Sequence, residues 1–202
     1  MIILNDMVLR WLLFVFLIPF IATGQEWEVV VEKNGIIVEK NKETIRDVYH
    51  FRTTTKINAS VNELEKLLEN ISNYPSWLYK YDKAELLNAS VNTFLFRAKI
   101  LAPFPLKDRK IKIKLIKSSV EDKIVYQMQS TPVTDTLFCV NCEEIAGMSG
   151  SWQLKKVSEK VTEIQNVTRV IADIPLPKAI LYPLFYRAPQ KSFENLLEMY
   201  SN

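Results

Sequence analysis

Apolar and polar positions alternate along much of the chain, and the phase of that alternation says which side of each strand is buried. In "KIKIKLIK" (110–117), Ile111, Ile113 and Leu115 fall on one side and Lys110, Lys112 and Lys114 on the other, because successive strand side chains project to opposite faces. "DVYHFRTTTKI" places Tyr49, Phe51, Thr53, Thr55 and Ile57 together, and "NTFLFRAKI" does the same for Phe94, Phe96, Ala98 and Ile100. "KIVYQMQS" presents Ile124, Tyr126 and Met128, and "GSWQLKKV" and "TEIQNVTRVIA" predict two further strands. One wet and one buried face per strand is the mark of an antiparallel sheet covered on a single side. "EWEVVVEKNGIIVEK" adds a hairpin about Asn34-Gly35, a dipeptide suited to the tight turns of paired strands.

Two stretches follow a helical period instead. "NASVNELEKLLENI" carries Val61, Leu64, Leu67, Leu68 and Ile71 on one stripe. Ser60 with Glu63 three residues later reads as a capping box, and "NYPSWL" interrupts the run. "LPKAILYPLFYRAPQKSFENLLEMY" spaces Ile180, Leu181, Leu184, Phe185 and Ala188 and then Phe193, Leu196, Leu197 and Tyr200 for a second, longer helix. Pro183 and Pro189 predict a kink or break in it. The order is strands, one helix with a bent extension, about six strands and a long C-terminal helix. That order suits an α+β fold in which a curved antiparallel sheet grips the terminal helix.

The N-terminus stands apart. Arg10 precedes "WLLFVFLIPFIA" (11–22), an apolar run shorter than the ~20 residues of a membrane span. Ala22 and Gly24 suit a signal-peptidase site, so residues 1–24 are expected to be a cleaved export signal and Gln25 the mature N-terminus. An uncleaved membrane anchor is the alternative, since Asp6 offsets Arg10. Removing 24 of the 202 residues leaves 178 and a net charge still +3, enough chain for one domain with a sizeable core. So mild a basicity falls well short of a nucleic-acid signature.

Cys139 and Cys142 sit in "FCVNCEE". In the cytosol such a pair suggests redox chemistry or half a zinc site. Zinc needs four ligands and His50 is the only histidine, so no metal or cofactor is expected. Behind an export signal, Cys139 and Cys142 are expected to form a short disulfide bracing a loop. Four N-x-S/T patterns occur, at Asn58, Asn70, Asn88 and Asn166, which would carry glycans only in a eukaryotic secretory pathway; those at Asn58 and Asn88 read as turn and cap chemistry, and the drift of an AT-rich bacterial genome accounts for the set.

Five pieces in fixed order, "WEVVVEKNGIIVEK", "FRTTTKINASVNELEKLLENISNYPSW", "APFPLKDRK", "GSWQL" and "LPKAILYPLFYRAPQKSFENLL", span nearly all of residues 27–200. In that order the chain resembles the START (StAR-related lipid-transfer) domains of the helix-grip superfamily, in their compact, exported bacterial form. The resemblance implies one START-like domain over residues 25–202, with a tunnel between the sheet and the C-terminal helix. It also implies that the tunnel holds one lipid or other hydrophobic molecule for transport or sensing, with "APFPLKDRK" as its stiff rim. Where family members carry an acid after the arginine of that rim, this chain has Lys110. At the positions of the buried acid–arginine pair of sterol-binding members, an ungapped count finds Phe96 and Leu115. The cavity is therefore expected to be greasier than a sterol pocket.

The candidate ligand-binding residues are Phe96, Ile113, Leu115, Tyr126, Met128 and Trp152. By periodicity alone these side chains are as well explained by packing against the C-terminal helix; the resemblance favours a cavity. A polyketide cyclase or aromatase using the same cavity is the alternative, and it needs converging polar groups. His50 alternates outward opposite Tyr49 and Phe51, Arg97 alternates outward from Phe96, and no catalytic residue is assigned. Residues 107–117 hold six cations against Asp108 alone. Lys107, Arg109 and Lys110 are the candidates for peripheral contact with an anionic membrane; a solvated sheet face is the alternative. Expected partners are a hydrophobic small molecule or lipid and no nucleic acid, with the chain a monomer.

Overall fold

The computed structural model describes residues 26–42, 45, 47–135, 137–145, 147–172, 174 and 176–201. The export signal assigned to residues 1–24 lies outside the described residues. Local chemistry accounts for most of the elements. Strands β1 (Trp27–Lys33) and β2 (Ile36–Asn41) are joined through Asn34 and Gly35, both at positive φ (54° and 76°), which matches the twist of the flanking strands. β3 (Val48–Ile57) buries Tyr49, Phe51, Thr53, Thr55 and Ile57, the alternate set expected.

Helix α1 (Val61–Glu69) starts at Ser60, whose hydroxyl accepts from the Glu63 backbone N–H while the Glu63 carboxylate accepts from the Ser60 backbone N–H. The reciprocal pair satisfies amides that the first turn leaves without partners. A 3₁₀ turn (Ile71–Asn73) and the one-turn helix α2 (Tyr74–Trp77) follow, with Pro75 in the first turn where its missing N–H costs nothing. β4 (Tyr81–Ser90), β5 (Thr93–Ile100), β6 (Arg109–Val120), β7 (Lys123–Thr131), the two-residue β8 (Glu143–Glu144), β9 (Gly147–Ser158) and β10 (Val161–Ile171) lead to helix α3 (Lys178–Met199). β4 runs on through Asn88 and Ala89, where the sequence predicts a turn. A register shift between Leu86 and Asn88 absorbs the change of phase, as a bulge does.

The strand order is β1-β2-β3-β10-β9-β7-β6-β5-β4, antiparallel along the whole path. α1 and α2 carry the chain from β3 to the far edge at β4, and the meander then works back to close β10 against β3. The sheet's inner face and the helices bury one large core that includes Leu64, Leu68, Trp77, Phe96, Ile113 and Phe193. A smaller cluster sets Tyr49 and Phe51 against Leu181, Tyr182 and Phe185 of α3.

α3 is the grip of the fold, and it runs unbroken from Lys178 to Met199 with Pro183 and Pro189 inside it. Of the kink or break expected from the prolines, the break is therefore corrected. Each proline removes one donor from the helical ladder, and packing on both halves holds the helix together. Tyr49 stacks on Phe185 at 4.2 Å in the first half. Phe193 stacks on Trp152 at 5.9 Å, and Asn195 Nδ2 donates to the Trp77 carbonyl at 3.0 Å, in the second.

Candidate functional site

Between the inner face of the sheet and α3 lies a cavity of about 740 Å³, within the range of small-molecule sites. Its apolar wall comes from seven strands, β3 to β7, β9 and β10, with Leu181, Leu184 and Phe185 of α3 opposite. The solvent-exposed members of the lining, Lys80, Pro103, Glu143, Glu144, Ile171 and Arg187, mark its mouth. The loop 101–108 forms one lip through Leu101, Ala102, Pro103 and Leu106, the segment expected to act as a rim.

Five of the six candidate residues, Phe96, Ile113, Leu115, Met128 and Trp152, line this one cavity. They are nearly enclosed by their neighbours, Ile113 and Leu115 at 1 % exposure and Phe96 at 2 %, and so form its packed base. Side chains with more surface left open to the cavity are Ile100, Met148, Val170 and Leu184, all half-buried. Tyr126 is not in the lining. It is wholly buried under α1, where its hydroxyl donates to the Glu69 carboxylate at 2.7 Å. Burial, with the Glu69 charge adding to it, pushes its pKa up.

Trp77 and Tyr79, two residues apart, have different surroundings. Trp77 is fully buried, edge-on to Trp152 at 5.6 Å, whereas Tyr79 lines the cavity and its backbone N–H donates to Ser192 Oγ of α3 at 2.9 Å. Asn166 and Thr168 were not expected in the cavity from the sequence. They face the cavity on β10 in phase with Ile164 and Val170, and that phase was the available signal. Asn166 is one of the four N-x-S/T patterns, and its side chain turns into the molecule at 6 % exposure.

The three cations proposed for a membrane face do not share a surface. Arg109 has the phase of Ile111 and Ile113 and lines the mouth, ion-paired with Glu143. Lys107 lies on the lip, 3.7 Å from Glu143. Lys110 is on the outer face of the sheet, in line with Lys112 and Lys114. Among the described residues no ion pair involves those three lysines. Lys117 returns to the inner phase and bonds Glu65 and Glu69 at 2.7 and 2.8 Å. Desolvation works against its charge, but the two carboxylates keep its pKa above the ordinary lysine value.

β8, absent from the sequence expectations, places Glu143 beside Arg109 in a parallel pair. The residues just before it carry the disulfide between Cys139 and Cys142. This loop folds along the outer face, where Asp135 pairs with Arg97 and the Phe138 ring lies 4.4 Å from the Arg97 guanidinium.

Asp108 fastens the lip. Its carboxylate accepts from the Ala102 N–H at 3.0 Å and faces Lys99 Nζ at 3.4 Å. These contacts, the backbone one first, hold its pKa below the usual 3.8. A carboxylate with a depressed folded pKa contributes stability above its unfolded value and loses it as pH falls through the folded one. Amide protection in residues 102–108, taken as exchange relative to the intrinsic rate at each pH, should therefore be flat from neutral pH to about pH 4 and fall below it. Asp108→Asn should exchange fast at every pH.

No protein-family model and no curated protein sequence matches the chain. Solved structures do. A STAR-related lipid transfer protein from Xanthomonas axonopodis superposes with a TM-score of 0.76 at 15% identity, over 87% of this chain and 99% of that one. Human StAR-related lipid transfer protein 5 gives 0.70 at 12% identity, over 96% and 92% of the two chains. An aromatase/cyclase from a Streptomyces gives 0.57 at 12% identity, over 76% and 94%. The chain has the START fold: an α+β helix-grip architecture, shared by lipid-transfer domains and by cyclases.

Proposed function

We propose that the chain is a noncatalytic carrier or sensor that holds one hydrophobic molecule between its sheet and α3. The observation that carries this is the 740 Å³ cavity with its predominantly apolar wall. Each Å² of apolar ligand surface withdrawn from water there contributes about 25 cal/mol. The likeness to lipid-transfer structures in the same fold supports the same conclusion. A cyclase-like activity has less support. Arg109, Glu143 and Glu144 at the mouth are engaged by Glu143, Arg109 and the Val133 N–H respectively, and His50 packs on Trp27 at 4.8 Å. With residues 1–24 removed the carrier works outside the cytoplasm, on the strength of the leader's composition.

Loading and release take place at an anionic bilayer, with the mouth turned toward it. Phe104 on the lip is 97 % exposed, and Leu137 and Val140 on the disulfide loop are 84 % and 76 % exposed. Leu106 and Asp108 share a surface hollow with residues 139–142, so the two loops adjoin. Exposed apolar side chains beside Lys107 and Lys80 suit the boundary between headgroups and acyl chains.

Mass spectrometry of organic extracts of the purified chain should find one class of hydrophobic molecule at up to one per chain. An empty extract, together with no uptake of fluorescent fatty acid or phospholipid by the delipidated chain, would sink the carrier function. Phe104→Asp should lower co-sedimentation with phosphatidylglycerol vesicles several-fold and leave uptake from detergent solution unchanged. Unaltered sedimentation would remove the lip from the membrane contact.

A further inference from the structure

On β10 two neutral hydrogen-bonding side chains, Asn166 and Thr168, interrupt the apolar wall of the sheet; Tyr74, Tyr79, Tyr81 and, on α3, Ser192 are other such side chains of the lining. Asn166 is opposite Trp152 on β9 and Thr53 on β3. Thr168 Oγ1 donates to Asn166 Oδ1 at 2.7 Å, and Asn166 Nδ2 donates to the Ser151 carbonyl at 3.4 Å. An amide nitrogen has two N–H groups and a hydroxyl oxygen two lone pairs. One Asn166 N–H and the acceptor side of the Thr168 hydroxyl are thus uncommitted, and both residues line the cavity. Beside them Thr53 is 1 % exposed and its hydroxyl has no partner, an uncommon condition for a buried polar atom.

The site is far from the charged mouth. Thr168 pairs with Gly150, Gly150 with Met128 and Met128 with Leu115, so these four form one row across the sheet. Arg109 lies six residues further along β6 from Leu115, about 20 Å at strand rise. The other charged lining residues, Lys80, Glu143, Glu144 and Arg187, are solvent-exposed at the mouth. An ionised group beside Asn166 would therefore be buried with no counter-charge, which is strongly unfavourable.

We propose that the cavity selects a neutral amphiphile that enters polar end first. It sets a hydroxyl or a carbonyl oxygen against Asn166 and Thr168, and its hydrocarbon runs back toward the mouth. This rests on the carrier function proposed above and adds to it the class of cargo: long-chain alcohols, esters or amides, in preference to ionised fatty acids and bare alkanes.

The test displaces a fluorescent hydrophobic probe from the delipidated chain with four ligands of equal chain length: hexadecanol, methyl palmitate, hexadecane, and palmitate at pH 9. Hexadecanol or methyl palmitate should compete about tenfold better than hexadecane, as one or two neutral hydrogen bonds provide, and ionised palmitate should compete worst. Thr168→Val and Asn166→Leu should each bring that ratio, taken within the variant, close to one. Thr168→Val keeps the side-chain shape should Asn166→Leu fold poorly. A wild-type ratio near one, a ratio unchanged in Thr168→Val, or palmitate matching the alcohol each overturns the inference and leaves the carrier intact. Failure of all four ligands to compete, with no probe uptake, removes the carrier and the inference with it.

Discussion

Val170→Phe should abolish uptake of a fluorescent lipid while moving the thermal midpoint by no more than about 2 °C. Val170 is half-buried, lines the cavity, and is paired with Met148 and Tyr49 on its two flanks. A larger ring there has open volume to enter, so it occupies ligand space without displacing packed neighbours. Ile113→Phe is the matched control. At 1 % exposure Ile113 belongs to the packed base of the cavity and leaves a larger ring little open surface to enter, and overpacking should cost about 1–3 kcal/mol. The melt and the uptake assay, run on both variants, separate an accessible cavity from a solid core. Equal destabilisation by the two, with no lipid bound by wild type, would mean that the space is not available to ligands.

The second large effect concerns the grip itself. Phe193 is wholly buried on α3, stacked on Trp152, which in turn meets Trp77. Phe193→Ala removes the ring that α3 contributes to that stack and should cost about 3–5 kcal/mol in urea denaturation. Met199 lies on the same helix at 41 % exposure, and Met199→Ala should stay within about 0.5 kcal/mol. A loss at Phe193 no larger than that would place the helix's anchorage elsewhere.

What was legible in the sequence was what neighbours along the chain decide. The Asn34-Gly35 turn, the Ser60–Glu63 box and the alternation of β3 and β6 each need only a few consecutive residues, and each is found where expected. Phase could place Phe96, Ile113, Leu115, Met128 and Trp152 on one face but could not separate a packed base from an open wall. That distinction depends on how far α3 stands from the sheet. Tyr126 shows the same limit: its phase is right, yet α1 rather than the cavity covers that end of β7. Arg109 was grouped with Lys107 and Lys110 by charge, although its own phase turns it inward to Glu143, 34 residues away. β8 is two residues long and owes its existence to the edge of β6, so no local pattern could announce it. The prolines of α3 argued locally for a break, and tertiary packing on both halves overrode them.

The closure of β10 on β3 has a consequence for how the chain is made. Thr162 of β10 donates its hydroxyl to the Ala59 carbonyl, 103 residues earlier, and the whole β3–β10 ladder spans comparable separations. Until β10 is synthesised, β1, β2 and β3 are a three-stranded ribbon in which the edge of β3 is open as well as that of β1, and the Thr-rich buried face of β3 lacks its neighbour across the sheet. Contacts so distant in sequence are closed late and against loop entropy, which sets refolding in the millisecond-to-second range. For as long as that edge stands open it can pair with other chains. The last two elements to emerge, β10 and α3, are then what commits the first three strands to their place in the sheet.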